Sequence, residues 1–277
     1  MAAQPSPPSA TKAPHPSADQ RQTERLLLYQ TPIWITAVAA VMLSGTLRQW
    51  SDTQYVLFSI AVAAPSILLP AFSSRPGPAR PQQKWSHRYW VKLNVWVWIV
   101  VCFGTYFGTH YFFDLMGMRY LFNVRWNFQS DVVGQARGAT REVPVFMYPL
   151  THAYFMTYFT VLMVVERAAV RLLRVEGKVE RGLVMLGLGY GLAFIETFCM
   201  ASPLLEDLFV YADRGRMLRV GSLGYAAYFV VGLPMVKRID GYGEIWMLDR
   251  VVVEGLATSM GILVLLEVWA KTMGSLV

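Results

Sequence analysis

The chain has 277 residues, of which 55% are hydrophobic and only 16% carry charge, and its formal net charge is +7. A soluble domain carries about 25% charged residues, so this composition excludes an ordinary soluble globular protein. The basic residues form no ordered patch, so no nucleic-acid partner is expected, whereas anionic lipid headgroups fit the positive charge.

The N-terminal segment differs from the rest of the chain. Pro, Ser and Ala dominate its first twenty residues, which show no hydrophobic periodicity. This pattern predicts a disordered cytosolic tail over residues 1–25, followed by a membrane domain over residues 26–277. No apolar stretch precedes Leu26, so the segment lacks the pattern of a cleavable secretory signal.

Seven apolar segments follow, each close to the ~20 residues that a transmembrane helix needs. They predict an all-α fold, a polytopic transmembrane helical bundle of about seven spans. Pro65 predicts a kink or a short span in the second segment. More Lys and Arg lie on the side of the tail than opposite it, which predicts a cytosolic N-terminus. The predicted spans are 27–47, 54–72, 91–113, 146–165, 182–202, 218–236 and 251–270.

Two ionisable side chains lie inside predicted spans, His110 in the third and Glu196 in the middle of the fifth. A charge in the bilayer is costly, so such residues usually face the bundle interior and have a function. Tyr106 and Asp114 lie one helical turn from His110 on either side, and all three can share a face. A structural polar contact is the alternative for both His110 and Glu196.

His152 and Asp213 are weaker candidates, at the start of the fourth span and after the end of the fifth. His152 also suits the interfacial layer of a membrane, and Asp213 also suits a loop turn or a helix cap. Trp residues at span ends are commonly interface anchors. Tyr225 and Tyr228, at helical spacing, also suit packing.

The sequence carries no cofactor motif. Its four histidines form no clustered boxes for a di-iron site, and both cysteines lie inside apolar blocks, so no metal is expected. The glycines of 187–191 lie inside a span without a preceding strand, which favours helix packing over dinucleotide binding. A reaction carried out by this chain would therefore need only protons.

Several motifs occur in one order between about residues 25 and 270, and together they resemble the cycloeucalenol cycloisomerase family, the cyclopropylsterol isomerases of plant and algal sterol synthesis. Four segments depart from the family: the tail, a longer and more basic loop at 123–144, the loop at 241–243, and Ser202-Pro203. The motifs include Tyr29-Gln30-Thr31-Pro32-Ile33-Trp34, Arg88-Tyr89-Trp90-Val91-Lys92, Thr109-His110-Tyr111-Phe112-Phe113, Leu150-Thr151-His152, Ile195-Glu196-Thr197 and Trp246-Met247-Leu248-Asp249-Arg250-Val251.

The resemblance implies a cofactor-free isomerase of the endoplasmic reticulum membrane. It implies that a 9β,19-cyclopropyl sterol, cycloeucalenol, is opened to obtusifoliol with its C8–C9 double bond. Such a reaction needs an acid that protonates the cyclopropane carbon, a group that stabilises the cation at C9, and a base that removes the proton at C8.

Within that reaction we expect Glu196, or else Asp213, to be the acid, because burial disfavours the charged form of a carboxyl group. His110 is the expected relay or base, and His152 competes for that role. Aromatic faces attract a cation without reacting with it. The candidates for that role are Trp90, Trp96, Tyr106, Tyr111 and Tyr225.

Other functions stay open at this point. The strongest alternative is a non-catalytic membrane sterol-binding protein, and a seven-span receptor or transporter is another. Lys271 lies at the end of the last span rather than inside it, which disfavours a retinal-type receptor. No repeat relates the two halves, which disfavours a transporter. The preferred sterol and any association with other sterol-pathway enzymes are not determined by the sequence.

Overall fold

The computed structural model describes residues 16–73, 84–129, 142–241 and 244–273. Within these residues, seven helical segments are long and apolar enough to cross a membrane, which confirms the predicted fold and makes the chain a multi-pass membrane protein. Helices satisfy every backbone polar group internally, as a bilayer requires. The α-helices are α1 (Ala18–Leu43), α2 (Asp52–Ala63), α3 (Pro65–Ser73), α4 (Tyr89–Phe103), α5 (Thr109–Met116), α6 (Met147–Leu172), α7 (Lys178–Met200), α8 (Arg214–Arg216), α9 (Ser222–Val236) and α10 (Leu248–Met273).

Three of the spans are composite. The second is α2 with α3, the third is α4 and α5 joined by a π turn (Gly104–Gly108), and the sixth is α8 and α9 joined by a π turn (Met217–Gly221). The break between α2 and α3 falls at Ala64, next to the proline that predicted it, because proline lacks a backbone N–H.

The first helix begins earlier than the sequence indicated. The side chain of Ser17 accepts a hydrogen bond from the Gln20 N–H, which caps α1 at Ala18. Residues 18–25, which the sequence placed in the tail, are therefore helical and polar, and they extend the first span beyond its apolar part. Of the rest of the proposed tail, residues 1–15 lie outside the described residues.

Short strands and turns connect the spans on one side of the bundle. Here we call the side at which α1 begins the near side and the opposite side the far side. On the far side β1 (Arg119–Tyr120) pairs antiparallel with β4 (Phe209–Val210), and β2 (Asn127–Gln129) with β3 (Glu142–Pro144). The sequence did not indicate these strands, because two or three residues show no alternation. The 3₁₀ turns Thr46–Gln49 and Pro203–Leu205 also lie on the far side, whereas Trp85–His87 precedes α4 on the near side.

Ion pairs join the helix ends on the near side. Lys92 is fully buried in the first turn of α4, and its Nζ lies 2.7 Å from both carboxylate oxygens of Asp240. Asp240 also accepts a hydrogen bond of 2.8 Å from the Trp246 N–H. Lys92 therefore does not reach toward headgroups, as a lysine at a span end commonly does. It ties the third span to the loop before the seventh.

Two further carboxylates on the near side are buried. Glu166 at the end of α6 lies 2.5 Å from the Lys237 Nζ and 3.4 Å from the Arg181 Nε. Burial lowers the pKa of Lys237, and the Glu166 carboxylate acts in the opposite direction. Glu24 of α1 lies 2.5 Å from Arg167 of α6. These contacts fasten spans one, four, five and six to one another at a single level.

We predict that Lys92→Met lowers the free energy of unfolding by about 3 kcal/mol, because it leaves the Asp240 carboxylate without its buried partner. The measurement is thermal unfolding of the purified protein in detergent. The control is Arg48→Met, which removes the exposed partner of Asp207 and should cost less than about 1 kcal/mol. Equal effects of the two changes would contradict a structural role for the Lys92 pair.

Candidate functional site

A large apolar cavity lies between the spans, from the middle of the bundle toward the far side. Its empty space, open mouth included, is about 1260 Å³, and its walls are predominantly apolar. The first six spans and the far-side loops supply its walls. The lining residues include Gly104, Thr105, Thr109, Phe112, Tyr120, Thr151, Tyr154, Phe155, Glu196, Tyr211, Met217, Tyr225 and Tyr228.

Glu196 is the only carboxyl group among the described residues that line the cavity. Its Oε1 accepts a hydrogen bond of 3.3 Å from the Tyr225 hydroxyl, which comes from α9. The surrounding walls are aromatic and aliphatic. A carboxyl group and a phenol therefore form a hydrogen-bonded polar pair on a largely apolar wall.

Close packing of α7 against α9 places this pair. A Cβ atom at Gly189 would lie 3.3 Å from the Phe229 side chain and 3.4 Å from the Val230 backbone, so glycine lets the two helices approach. Glu196 follows Gly189 by two helical turns on the same face, and Tyr225 precedes Phe229 by one turn. Of the three glycines in 187–191, only Gly189 needs the absence of a side chain for packing, because a Cβ atom at Gly187 or Gly191 would meet no described atom of another segment within 4 Å.

Phenol groups from the far-side connections close the cavity. The pairing of β1 with β4 brings Tyr120 close to Phe209, with ring centroids 5.7 Å apart. Burial raises the pKa of Tyr120 to about 12, and a hydrogen bond with Thr109 acts in the opposite direction. Burial also raises the pKa of Tyr211, as do Tyr120 and Glu196 nearby. Both phenols therefore stay neutral and can donate hydrogen bonds.

The π turn of the third span packs closely against the Tyr228 side chain. The Tyr228 hydroxyl donates a hydrogen bond of 3.2 Å to the Gly104 carbonyl oxygen. A Cβ atom at Gly104 or Gly108 would overlap the Tyr228 ring or its hydroxyl. Turns of this kind recur at functional sites. Here the turn puts Thr105 and the Tyr228 ring on the same region of the wall.

His110 lies outside this wall. It is 3% exposed, and its ring centroid is 5.4 Å from that of Tyr106 and 6.4 Å from that of Phe113. Neither His110 nor Tyr106 is among the described residues that line the cavity. The π turn ends two residues before His110, so its five-residue spacing changes the face that a regular helix would present.

His152 belongs to a separate buried polar cluster. Its Nε2 lies 2.9 Å from the Asn94 Oδ1, and the Ser66 hydroxyl donates to the same oxygen at 3.4 Å. The Asn94 amide donates to the Trp90 carbonyl oxygen at 2.8 Å. The cluster joins α3, α4 and α6 beside the helix break at Ala64, and Thr151, rather than His152, lines the cavity.

Asp213 is an exposed helix cap. Its Oδ1 accepts a hydrogen bond of 2.9 Å from the Arg216 N–H at the start of the sixth span. This is the alternative that the sequence had left open for Asp213. Asp213 is not among the described cavity-lining residues.

Of the five aromatic candidates, only Tyr225 lines the cavity. Trp96 is fully buried in the core, with its ring centroid 5.1 Å from that of Phe159. The Tyr111 hydroxyl donates to a carboxylate oxygen of Glu267 at 3.0 Å. Trp90 contributes its carbonyl oxygen to the cluster around His152. The sequence thus identified the two partners of the polar pair, Glu196 and Tyr225, and most of its other candidates lie elsewhere.

Comparison with known proteins identifies the family. A cycloeucalenol cycloisomerase of Arabidopsis thaliana is 32% identical over 280 residues, which cover 98% of this chain and 91% of the relative. The chain belongs to the cycloeucalenol cycloisomerase family. It is therefore an isomerase, as its sequence motifs indicated. No family model matches the chain, and no solved structure matches it.

The sequence did not reveal most of the residues around the polar pair of this isomerase. Tyr154, Tyr120, Tyr211 and Thr105 come from four distant segments, and no spacing along the chain relates them. Tyr228 could be associated with Tyr225 through their helical spacing, but that spacing also suits packing. Among the described residues, no group of three His, Cys, Asp or Glu side chains could hold a metal ion.

We predict that Gly108→Ala destabilises the isomerase by about 1–3 kcal/mol and lowers its turnover, because the added methyl group displaces Tyr228 from the wall. The measurements are thermal unfolding and sterol conversion in membranes. Gly187→Ala is the control, since open space surrounds that position and alanine favours a helix.

A second change makes this prediction specific. The overlap at Gly108 falls chiefly on the Tyr228 hydroxyl, so Gly108→Ala combined with Tyr228→Phe should recover most of the lost stability. An unchanged loss in the double variant would show that the hydroxyl is not the obstacle.

Proposed function

We propose that this protein opens the 9β,19-cyclopropane ring of cycloeucalenol to give obtusifoliol. In this reaction C19 gains a proton, the C9–C19 bond breaks and a cation develops at C9. Loss of the proton at C8 then forms the C8–C9 double bond. Atoms are conserved and no electrons are exchanged with a cofactor, so the chemistry needs an acid, a base and a dry cavity.

One observation supports this function best: the apolar cavity has a single carboxyl group on its described wall. A cyclopropane carbon is a weak base, so its protonation needs a neutral acid held in a fixed position. Glu196 meets that need, because apolar surroundings favour its neutral form and Tyr225 fixes its orientation. We therefore propose Glu196 as the proton donor and Tyr225 as the residue that positions it.

The base is the second requirement. Among the described cavity-lining residues there is no histidine, and His110, His152 and Asp213 lie elsewhere. Once Glu196 has given up its proton, it is the only carboxylate on the described wall of the cavity. We propose that it removes the C8 proton and so returns to its starting state. One group then performs both transfers, provided that C19 and the C8 hydrogen face it on the same side of the ring system.

The cation at C9 needs stabilisation without capture. Aromatic faces supply it through their electron density, and the cavity has several close to the polar pair. The ring centroids of Tyr225 and Tyr228 are 5.5 Å apart, and those of Phe112 and Tyr225 are 6.2 Å apart. Of the five aromatic residues that the sequence suggested for this role, we retain Tyr225.

We also propose that the isomerase works in the endoplasmic reticulum membrane with its N-terminus in the cytosol. The excess of Lys and Arg on the near side supports this orientation. The cavity then lies in the lumenal half of the bilayer, where an apolar substrate can enter from the lipid.

We predict that Glu196→Gln lowers sterol conversion by about 10²–10⁴-fold, because the amide keeps the shape of the side chain but cannot give up a proton. The measurement is product formation from cycloeucalenol in membranes of a sterol-defined yeast. The control is Glu206→Gln, an exposed carboxyl group outside the cavity, which should convert sterol like the parent protein. Near-normal conversion by Glu196→Gln would remove Glu196 as the donor.

The position of protonation can be tested by isotope labelling. In D₂O we expect deuterium in the C19 methyl group of the product, because the first step adds a solvent-exchangeable proton there. The measurement is mass spectrometry and NMR of purified obtusifoliol. Because Glu196 recovers a proton from C8, substrate deuterated at C8 is also run in H₂O, where internal return of that proton would place deuterium at C19. Absence of deuterium at C19 in both experiments would contradict protonation at that carbon, and incubation of unlabelled obtusifoliol in D₂O controls for exchange after the reaction.

A further inference from the structure

Thr105 carries an unused hydroxyl group on the cavity wall. The residue is 6% exposed and lines the cavity, and its Oγ1 has no hydrogen-bond partner among the described residues. A buried hydroxyl group without a hydrogen-bond partner destabilises a protein, so its presence needs a structural or functional explanation. It is also the only cavity-lining residue among the buried side chains whose polar atoms lack a partner in the described chain.

Other helical threonines in this chain do not share this property. Thr160 donates to the Met156 carbonyl oxygen at 2.6 Å, and Thr258 donates to the Glu254 carbonyl oxygen at 2.7 Å. Such a bond to the carbonyl four residues earlier is the usual arrangement in membrane helices. Thr105 lies in the π turn, whose widened backbone differs from the geometry in which that bond forms.

The neighbouring polar groups on this wall already have partners. The Tyr228 hydroxyl donates to the Gly104 carbonyl oxygen, and Thr109 bonds with Tyr120. Threonine adopts two side-chain rotamers in helices, and rotation about its Cα–Cβ bond exchanges the methyl and hydroxyl groups. The Thr105 oxygen can therefore turn from the wall into the cavity when a ligand brings a polar group.

We propose that the Thr105 hydroxyl binds the single hydroxyl group of the sterol and so fixes the orientation of the ring system relative to Glu196. The inference rests on the proposed function. Thr105 belongs to the third span, whereas Glu196 and Tyr225 belong to the fifth and sixth, so the ligand is held between two walls. A rigid ring system that is bound at its hydroxyl end presents the same carbon to the carboxyl group at each turnover.

The test is ligand binding to the full chain in detergent. Obtusifoliol serves as the probe, because it keeps the hydroxyl group and is the product of the proposed reaction, and its 3-deoxy analogue lacks that group. We expect Thr105→Val to weaken obtusifoliol binding by about 3- to 10-fold, the effect of one neutral hydrogen bond, and to leave binding of the analogue unchanged. Thr105→Ser should bind both ligands like the parent protein.

Two controls separate this role from a structural one. Thr160→Val removes another buried threonine hydroxyl, which lies outside the cavity, and should bind both ligands normally. Thr105→Ala tests the same loss of the hydroxyl with a smaller side chain, in case valine disturbs the π turn. Equal weakening of both ligands, no weakening of either, or no binding of obtusifoliol by the parent protein would overturn the proposal.

Turnover of cycloeucalenol is measured separately on the same variants. Selective loss of obtusifoliol binding in Thr105→Val, without ring opening by the parent protein, would reject the proposed function and leave the hydroxyl subsite standing. Normal ring opening in the parent protein, with unchanged binding in Thr105→Val, would reject the subsite and leave the function standing.

Discussion

A charged group inside a bilayer must find a partner or become neutral, and this constraint organises the molecule. On the near side the buried carboxylates of Glu24 and Glu166 lie within 2.5 Å of basic side chains. In the cavity Glu196 faces a phenol instead of a cation. The ion-paired carboxylates join helices, whereas Glu196 lies on the cavity wall without a cationic partner. The same residue type thus joins helices at one level and lines the cavity at another.

The near-side half of the bundle, which the ion pairs hold together, also differs from the far-side half, which contains the cavity. The ion pairs fix the near-side helix ends at several points, including the contact of Lys92 with Asp240. The far half can then leave space between the spans without losing the fold. Short strand pairs and phenol rings cover that space, and the β1–β4 pair links two loops that are far apart in sequence.

The two π turns serve the far-side half. The first contributes Thr105 to the cavity wall, and its Gly104 carbonyl oxygen accepts a hydrogen bond from the Tyr228 hydroxyl. The second begins at Met217, which also lines the cavity. A regular helix would direct these side chains elsewhere. Local departures from helical geometry therefore occur where the protein must shape a cavity rather than fill it.

The sequence by itself determined the membrane bundle, the number of spans and the family, because long apolar segments and ordered motifs are local properties of the chain. It also identified Glu196 and Tyr225, the first through its cost inside a span. It did not separate them from His110, His152 and Asp213, since each of those also has an ionisable side chain in or near a span. Only the tertiary structure decided which side chains share a cavity. That depends on the Gly189 contact between α7 and α9, on the π turns and on the pairing of distant loops, and none of these leaves a periodic signal in the sequence.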